Sequence, residues 1–223
     1  MDKQEMNKRH EAAEKAGVVT RAYNFEIRAE SDEKNGDHVT GRPIVYDSRT
    51  DLGYFDEIIE AGALDKANLR DVRFLVNHNT DMIPLARSRR NNENSTMQLI
   101  VDKDGMCIRV NLDTENNSDA RNLYSAIKRG DITGMSFMFT IDSEEWEDLE
   151  SDHPTRRIKS IGQVFEVSAV TFPAYEATEI SARNKKALDS AKDLLESKKR
   201  ESLDNDTEAL ELEKAKNRNI FLK

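Results

Sequence analysis

Apolar and polar residues alternate along much of residues 21–112, which is the period of a half-buried β-strand. Near the start of this region, Tyr23, Phe25 and Ile27 alternate with polar neighbours. Further on, two apolar runs flank the segment Asp102-Lys103-Asp104-Gly105, whose composition is typical of a hairpin turn. The pattern therefore predicts a mainly β structure for this half of the chain.

The period changes to that of a helix from Ser118 to Arg129. Apolar residues recur at helical spacing, Ser118 can cap the start, and a glycine follows the last turn. Residues 134–141 then return to alternation, with two phenylalanines on one face and Ser136 on the other. Residues 142–155 are acidic and predict a solvated loop before a last strand at 163–172.

The two ends of the chain differ in character from its middle. Residues 1–20 are charged and predict a frayed helix or a disordered arm. Residues 184–223 are rich in charge, carry a loose amphipathic stripe and predict a helical tail, which needs a packing partner to be stable. Between them, residues 21–183 are expected to form one domain of the α+β class, rich in β-strands.

Composition narrows the function classes. The 223 residues carry a formal net charge of −9, so we expect neither nucleic acid nor an anionic membrane as a partner. No apolar run approaches the length of a transmembrane helix. A single cysteine, Cys107, rules out an intrachain disulfide and favours a cytosolic setting. The four histidines are not closely paired with it, so we expect no metal and no cofactor.

Three residues could carry chemistry, each on or at the end of a predicted strand. Taken singly, His78 could be an ordinary half-buried histidine at a strand end, and Ser136 could be an ordinary polar residue that faces solvent. Glu166, inside an apolar strand, could form a structural ion pair with Arg157 or another cation. Taken together, they are the serine nucleophile, imidazole base and orienting carboxylate of a serine hydrolase.

Several segments, in this order, resemble the prohead (capsid maturation) proteases of tailed bacteriophages. The most specific are Gly134-Met135-Ser136-Phe137 and the segment from Glu166-Val167-Ser168 to Thr171-Phe172-Pro173-Ala174-Tyr175. Asn77-His78-Asn79, Pro84-Leu85-Ala86-Arg87 and residues 53–64 add to the match. The resemblance covers about residues 22–180, which is most of the predicted β domain.

This resemblance implies roles for three residues, and a fold. The family's nucleophile falls on Ser136, its general base on His78 and the third member of the triad on Glu166. Arg87 is a candidate for stabilising the oxyanion, although it could equally be a surface cation. The fold of the family resembles that of the herpesvirus assemblin proteases, so we expect a small, partly closed β-barrel with flanking helices and helical terminal arms.

The resemblance also implies a function. We expect a serine endopeptidase inside the phage procapsid, in the host cytoplasm, that cleaves the major capsid protein or scaffold protein and then itself. A homodimer or higher oligomer is expected, because the herpesvirus relatives act as dimers. Two alternatives stay open: an inactive relative that serves as a scaffold or assembly factor through its helical tail, and a serine hydrolase acting on small esters.

Overall fold

Eleven strands and two helices make up the part of the chain that this computed structural model describes, namely residues 17–23, 27–33, 36–172 and 184–201. The strands are β1 (Val18–Tyr23), β2 (Ile27–Asp32), β3 (Gly36–Val45), β4 (Thr50–Asp51), β5 (Asp56–Ile59), β6 (Asp71–Val76), β7 (Ala86–Arg89), β8 (Met97–Asp102), β9 (Gly105–Asn111), β10 (Gly134–Glu147) and β11 (Thr155–Val170). The helices are α1 (Ser118–Arg129) and α2 (residues 184–201).

The strands form two sheets, of seven and four strands. The long strand β11 lies inside the larger sheet, antiparallel to β10 and parallel to both β5 and β6. Because β11 is so long, β5 pairs with its first residues and β6 with its last. At the β6 end the strand order is therefore β1-β10-β11-β6-β7. The smaller sheet is antiparallel, in the order β2-β3-β9-β8.

Both sheets contribute their apolar faces to one core. The alternation in β10 predicted this, since Met135, Phe137 and Phe139 are fully buried while their polar neighbours lie on the other face. Helix α1 packs on β2 and β3 and buries Leu123 and Ile127. Each large apolar side chain buried in this way stabilises the fold by about 1.5–3 kcal/mol.

The β-rich α+β class is confirmed. Among the described strands, however, neither sheet closes on itself, so the partly closed barrel is not confirmed. Helix α1 has the predicted bounds, but its cap is Asn117 and not Ser118. The Oδ1 of Asn117 accepts the backbone N–H groups of Asp119 and Ala120, and these would otherwise lack a partner at the helix start.

The prediction of an acidic loop at residues 142–155 is wrong for half of that segment. The acidic residues continue β10 as far as Glu147, and β11 begins at Thr155. The basic residues that follow lie on the facing strand, where Arg157 is opposite Glu145. Ion pairs form diagonally between the strands, from Lys159 to Glu145 at 2.5 Å and from Arg157 to Glu147 at 2.7 Å. Opposite charges facing each other across antiparallel strands favour pairing, and for this reason the segment forms strand.

The structure describes only part of each end of the chain. Strand β1 begins at Val18, three residues before the expected start of the domain, and residues 1–16 lie outside the described residues. Helix α2 buries Asn184 and Leu188 but exposes Leu194, so only the first part of the predicted stripe is covered. Residues 202–223 lie outside the described part. Neither described helix is both long and apolar enough to span a bilayer.

Candidate active site

Ser136 lies in the larger sheet between two neighbouring strands. It is directly opposite Ala22 of β1 and Ser168 of β11. Its side chain is fully buried, so it is not the solvent-facing serine that the pattern alone allowed. Its Oγ lies 2.6 Å from Nε2 of His78 and 2.8 Å from the carbonyl oxygen of Arg21. The hydroxyl proton therefore has two possible acceptors.

His78 is held in a turn that follows the end of β6 at Val76. Asn77 and His78 both have positive φ angles, 51° and 56°, which are uncommon for residues other than glycine. The turn is fixed to the end of β11, since the backbone N–H of Asn77 donates to the carbonyl oxygen of Ala169 at 3.0 Å. The Asn77 side chain also donates to Oγ1 of Thr171 and accepts the Thr171 N–H.

Glu166 lies on the other side of the imidazole. Its Oε1 is 2.5 Å from Nδ1 of His78, and its side chain is only 4% exposed, against 24% for His78. Arg157, suggested from the sequence as a partner for Glu166, pairs with Glu147 instead. A carboxylate beside Nδ1 favours the tautomer with its proton on Nδ1. Nε2 is then free to accept the proton of Ser136.

The strand register explains why these side chains meet. Glu166 is opposite Met138 in β10 and Arg73 in β6, and Ser136 is two residues from Met138. Residues two apart in a strand lie on the same face, so Ser136 and Glu166 share one face of the sheet. The turn after β6 brings His78 to that face, between the other two.

Ser168 is a further polar residue at the site, and the pattern analysis did not single it out. It is fully buried, its Oγ donates to Oε2 of Glu166 at 2.5 Å, and it accepts the backbone N–H of His78 at 3.1 Å. A signal for it was present, because Glu166 and Ser168 are two residues apart in one predicted strand and so share a face.

Arg87 is not among the residues that contact the triad. It lies on β7, which is separated from β10 by β6 and β11. Its Nε and Nη2 donate to the two carboxylate oxygens of Asp71 at 2.6 and 2.8 Å. This bidentate pair holds the pKa of Asp71 below its usual value. The role of Arg87 at the oxyanion stays a prediction, and the pairing with Asp71 does not support it.

A buried ion-pair network lies next to the nucleophile. Arg21 donates from Nε and Nη2 to Glu57 at 2.5 and 2.7 Å, and Nη1 of Arg156 lies 3.5 Å from the same carboxylate. All three residues are at least 93% buried, and Arg156 also pairs with Glu144. A cavity of about 310 Å³ adjoins this network, lined by β1 and the start of α2. The carbonyl oxygen of Arg21 links the network to Ser136.

One group of described side chains has a composition that could hold a cation. Carboxylate oxygens of Asp51 and Asp56 and a ring nitrogen of His153 lie within 4.8 Å of one another. The group sits at the opposite end of β11 from the triad, and Asp56 already accepts a hydrogen bond from Arg49 at 2.7 Å. We assign no metal to it.

Comparison with known proteins gives three similarities. The family described as "Caudovirus prohead serine protease" matches residues 24–193, a range that includes all three residues of the triad. The "Prohead protease" of Enterobacteria phage HK97 is 32% identical over 130 residues, which are 56% of this chain and 52% of that protein. The match therefore spans about half the length of that curated relative. The capsid assembly protease of bacteriophage T4 aligns with a TM-score of 0.38 and 10% identity, over 69% of this chain and 96% of that one.

Proposed function

Because the chain belongs to the caudovirus prohead serine protease family, we propose that it is a serine endopeptidase of procapsid maturation. Ser136 is the nucleophile, His78 the general base and Glu166 the residue that orients the base. The substrates are the major capsid protein, scaffold segments, or both, and the enzyme also cleaves itself. It works inside the procapsid in the host cytoplasm, as a homodimer or higher oligomer.

One observation carries the proposal: the continuous line of contacts from Glu166 through His78 to Ser136. The distances are 2.5 Å at Nδ1 and 2.6 Å at Nε2, both within hydrogen-bond reach. A nucleophile in contact with a base, which is in turn oriented by a third group, is the arrangement of serine hydrolases.

The mechanism follows from what each atom can do. Nε2 of His78 takes the Ser136 proton as Oγ attacks the scissile carbonyl carbon, and Glu166 stabilises the imidazolium that forms. The imidazolium then protonates the leaving amine as the peptide bond breaks, which leaves an acyl-enzyme on Ser136. Water, deprotonated by His78, hydrolyses that ester and restores the hydroxyl.

The carbonyl oxygen of Arg21 affects the first step. It lies 2.8 Å from Oγ and can accept the same proton that His78 must remove. A hydroxyl that points to Arg21 is not activated, so reaction requires the hydroxyl to rotate towards Nε2.

The test compares wild type with Ser136→Ala, each produced together with the phage major capsid protein, by intact mass of both chains. We expect defined truncations with wild type and full-length chains with the variant, and the masses give the cleavage sites. In a second measurement, an activated phosphonate should add to wild type and not to Ser136→Ala. Identical truncations with both proteins would assign the cleavage to a host protease. Co-assembly without truncation would favour a scaffold role.

A further inference from the structure

Ser168 contacts two of the three triad residues through one hydroxyl group, and the catalytic steps above do not use it. We propose that Ser168 is a positioning residue of the triad, which holds the carboxylate of Glu166 and the main chain of His78 in fixed relation. The part of this inference that concerns catalysis rests on the proposed function. The part that concerns geometry, namely that the Ser168 hydroxyl orders the Glu166–His78 pair, can be tested without any substrate.

The first part of the argument concerns Glu166. One of its oxygens, Oε1, contacts Nδ1 of His78, and the other, Oε2, accepts the Ser168 hydroxyl at 2.5 Å. Rotation about the last bond of a glutamate side chain is only weakly restricted by the bond itself. A donor on Oε2 therefore fixes the direction in which Oε1 points. It also satisfies an oxygen that is buried and would be costly to leave without a partner.

The second part concerns the turn that carries His78. The backbone N–H of His78 donates to Oγ of Ser168 at 3.1 Å, at a residue whose φ is 56°. Such backbone angles cost free energy and persist when surrounding contacts hold them. Ser168 thus supplies one of the contacts that keep His78 in this turn. At the same time, the hydroxyl proton of Ser168 holds the carboxylate of Glu166, which faces the ring of His78.

The third part concerns which side chains can do this. The group must donate to a carboxylate and accept from an N–H at once, which a hydroxyl can do and an apolar side chain of similar size cannot. Ser168 is fully buried directly opposite Ser136, so water cannot easily take its place. A threonine keeps the hydroxyl, and a valine has nearly the shape of threonine without it.

Ser88 provides a matched control. It is also a fully buried serine of the larger sheet, in β7, but its hydroxyl makes only a 3.5 Å contact with Asn91. Ser88→Ala therefore removes a buried hydroxyl from the same sheet without touching Glu166 or His78. An effect of Ser168→Ala that Ser88→Ala does not share is not a general effect of deleting a buried hydroxyl.

The experiment measures three quantities on wild type, Ser168→Ala, Ser168→Thr, Ser168→Val and Ser88→Ala. These are the rate of labelling of Ser136 by an activated phosphonate, the melting temperature, and the far-downfield proton resonance of the Nδ1–H that faces Glu166. We expect Ser168→Ala to lose about 10²-fold in labelling rate, the cost of a small misplacement of a catalytic group. Its resonance should broaden or move upfield. Ser88→Ala should match wild type in both.

If the melting temperature shows that Ser168→Ala is folded, its labelling rate and its resonance decide whether Ser168 positions the triad. An unchanged labelling rate together with an unchanged resonance would overturn the inference. Where it is not folded, the threonine and valine variants decide, since they differ only in the hydroxyl: faster labelling of the threonine variant supports the inference, and equal rates overturn it. If wild type itself is not labelled, the proposed function has failed, and the resonance alone then tests whether Ser168 orders the pair.

Discussion

The imidazole of His78 lies between two buried side chains because the chain leaves the strand geometry immediately before it. Had the alternation of β6 continued, His78 would lie on the face of Val72 and Phe74, both of which are fully buried in the core. The positive φ angles of Asn77 and His78 turn the chain away from that path. One ring edge then meets Ser136 and the other meets Glu166.

At this scale, Glu166→Gln tests the orienting role of the carboxylate. An amide can present its NH₂ group to Nδ1, which favours the wrong imidazole tautomer, so we expect kcat to fall about 10⁴-fold. KM should change little, because Glu166 is buried and lies behind the base. Cleavage kinetics with a capsid-protein substrate measure both constants, with Ser88→Ala as the control. Full activity in Glu166→Gln would remove the carboxylate from the mechanism.

The sequence identified some of these residues and not others, for a physical reason. Ser136, His78 and Glu166 stand in short motifs that resemble a known family, so they could be assigned before their positions in space were known. Ser168 shares a predicted face with Glu166, but its contacts and those of the carbonyl oxygen of Arg21 could not be predicted. Their contacts depend on which strands are neighbours and in what register, and a one-residue shift in register would send each side chain to the other face.

At the scale of single elements, the glycine at the turn of the β8–β9 hairpin, Gly105, allows a specific prediction about stability. Gly105 has φ of +134°, and a Cβ there would lie 2.1 Å from the carbonyl oxygen of Ile44. We expect Gly105→Ala to lower the free energy of unfolding by about 3 kcal/mol, from strain and overlap together. Gly130 also has positive φ but open space around it, so Gly130→Ala should cost only about 1 kcal/mol. Urea unfolding measures both, and equal losses would contradict the steric argument.

The same hairpin has a pH-dependent contact. Arg42 donates two hydrogen bonds of 2.7 Å to Asp102, and this pair holds the pKa of Asp102 well below its usual value. A carboxyl whose pKa is lower in the folded state stabilises the fold above its unfolded pKa, about 4, and loses that contribution as the pH falls further.

Asp102→Asn should therefore be less stable than wild type near neutral pH, and the difference should shrink as the pH falls below about 4. Urea midpoints at neutral and acid pH give the comparison. Asp104→Asn, which removes a neighbouring exposed carboxylate paired with Lys103, is the control. A difference between wild type and Asp102→Asn that stays constant with pH would show that the ion pair is not its source.

The hairpin of β10 and β11 shows where prediction of elements from the sequence fails. The acidic run after Ile141 has no apolar alternation, so the sequence by itself favours a loop. It is a strand because Arg156, Arg157 and Lys159 lie across from it. The pairing of these charges can be predicted only when the sequences of both strands of the hairpin are compared. Helix α1 needed no such partner to be predicted, since its period and its glycine stop signal are local.

At the scale of the whole molecule, the buried network around Glu57 ties three distant parts of the chain together. Its carboxylate joins Arg21 of β1 to Arg156 of β11 from its own place in β5. Glu57→Gln removes the negative charge that Arg21 and Arg156 share, while Arg156 keeps its pair with Glu144. We therefore expect a loss of about 3 kcal/mol in the free energy of unfolding, the lower end of the range for breaking a buried ion pair.

Chemical denaturation measures this loss, and Glu145→Gln, at an exposed cross-strand pair with Lys159, should change stability little by comparison. The phosphonate labelling rate of Glu57→Gln should also change, because β1 carries the carbonyl oxygen that contacts Ser136. If the free energy of unfolding of Glu57→Gln equals that of wild type, the buried ion-pair network makes no net contribution to the stability of the fold.

The order of strands in the larger sheet could not be predicted from patterns along the chain. The last strand in the sequence, β11, lies inside the sheet with β10 on one side and β5 and β6 on the other. Alternation shows which face of a segment is buried, but not which strands pair with it. The order of the larger sheet around β11 follows from this insertion and not from any local signal.

The central place of the final strand has a consequence for synthesis on the ribosome. Until residues 155–170 have left the exit tunnel, β10 has only β1 beside it, β5 and β6 have only β4 and β7, and Glu166 cannot reach His78. Every N-terminal fragment that stops before residue 155 lacks Glu166 and the inner strand of the larger sheet. Under the proposed mechanism, a nascent chain therefore lacks a complete triad, and full activity arises only once translation of the domain is nearly complete.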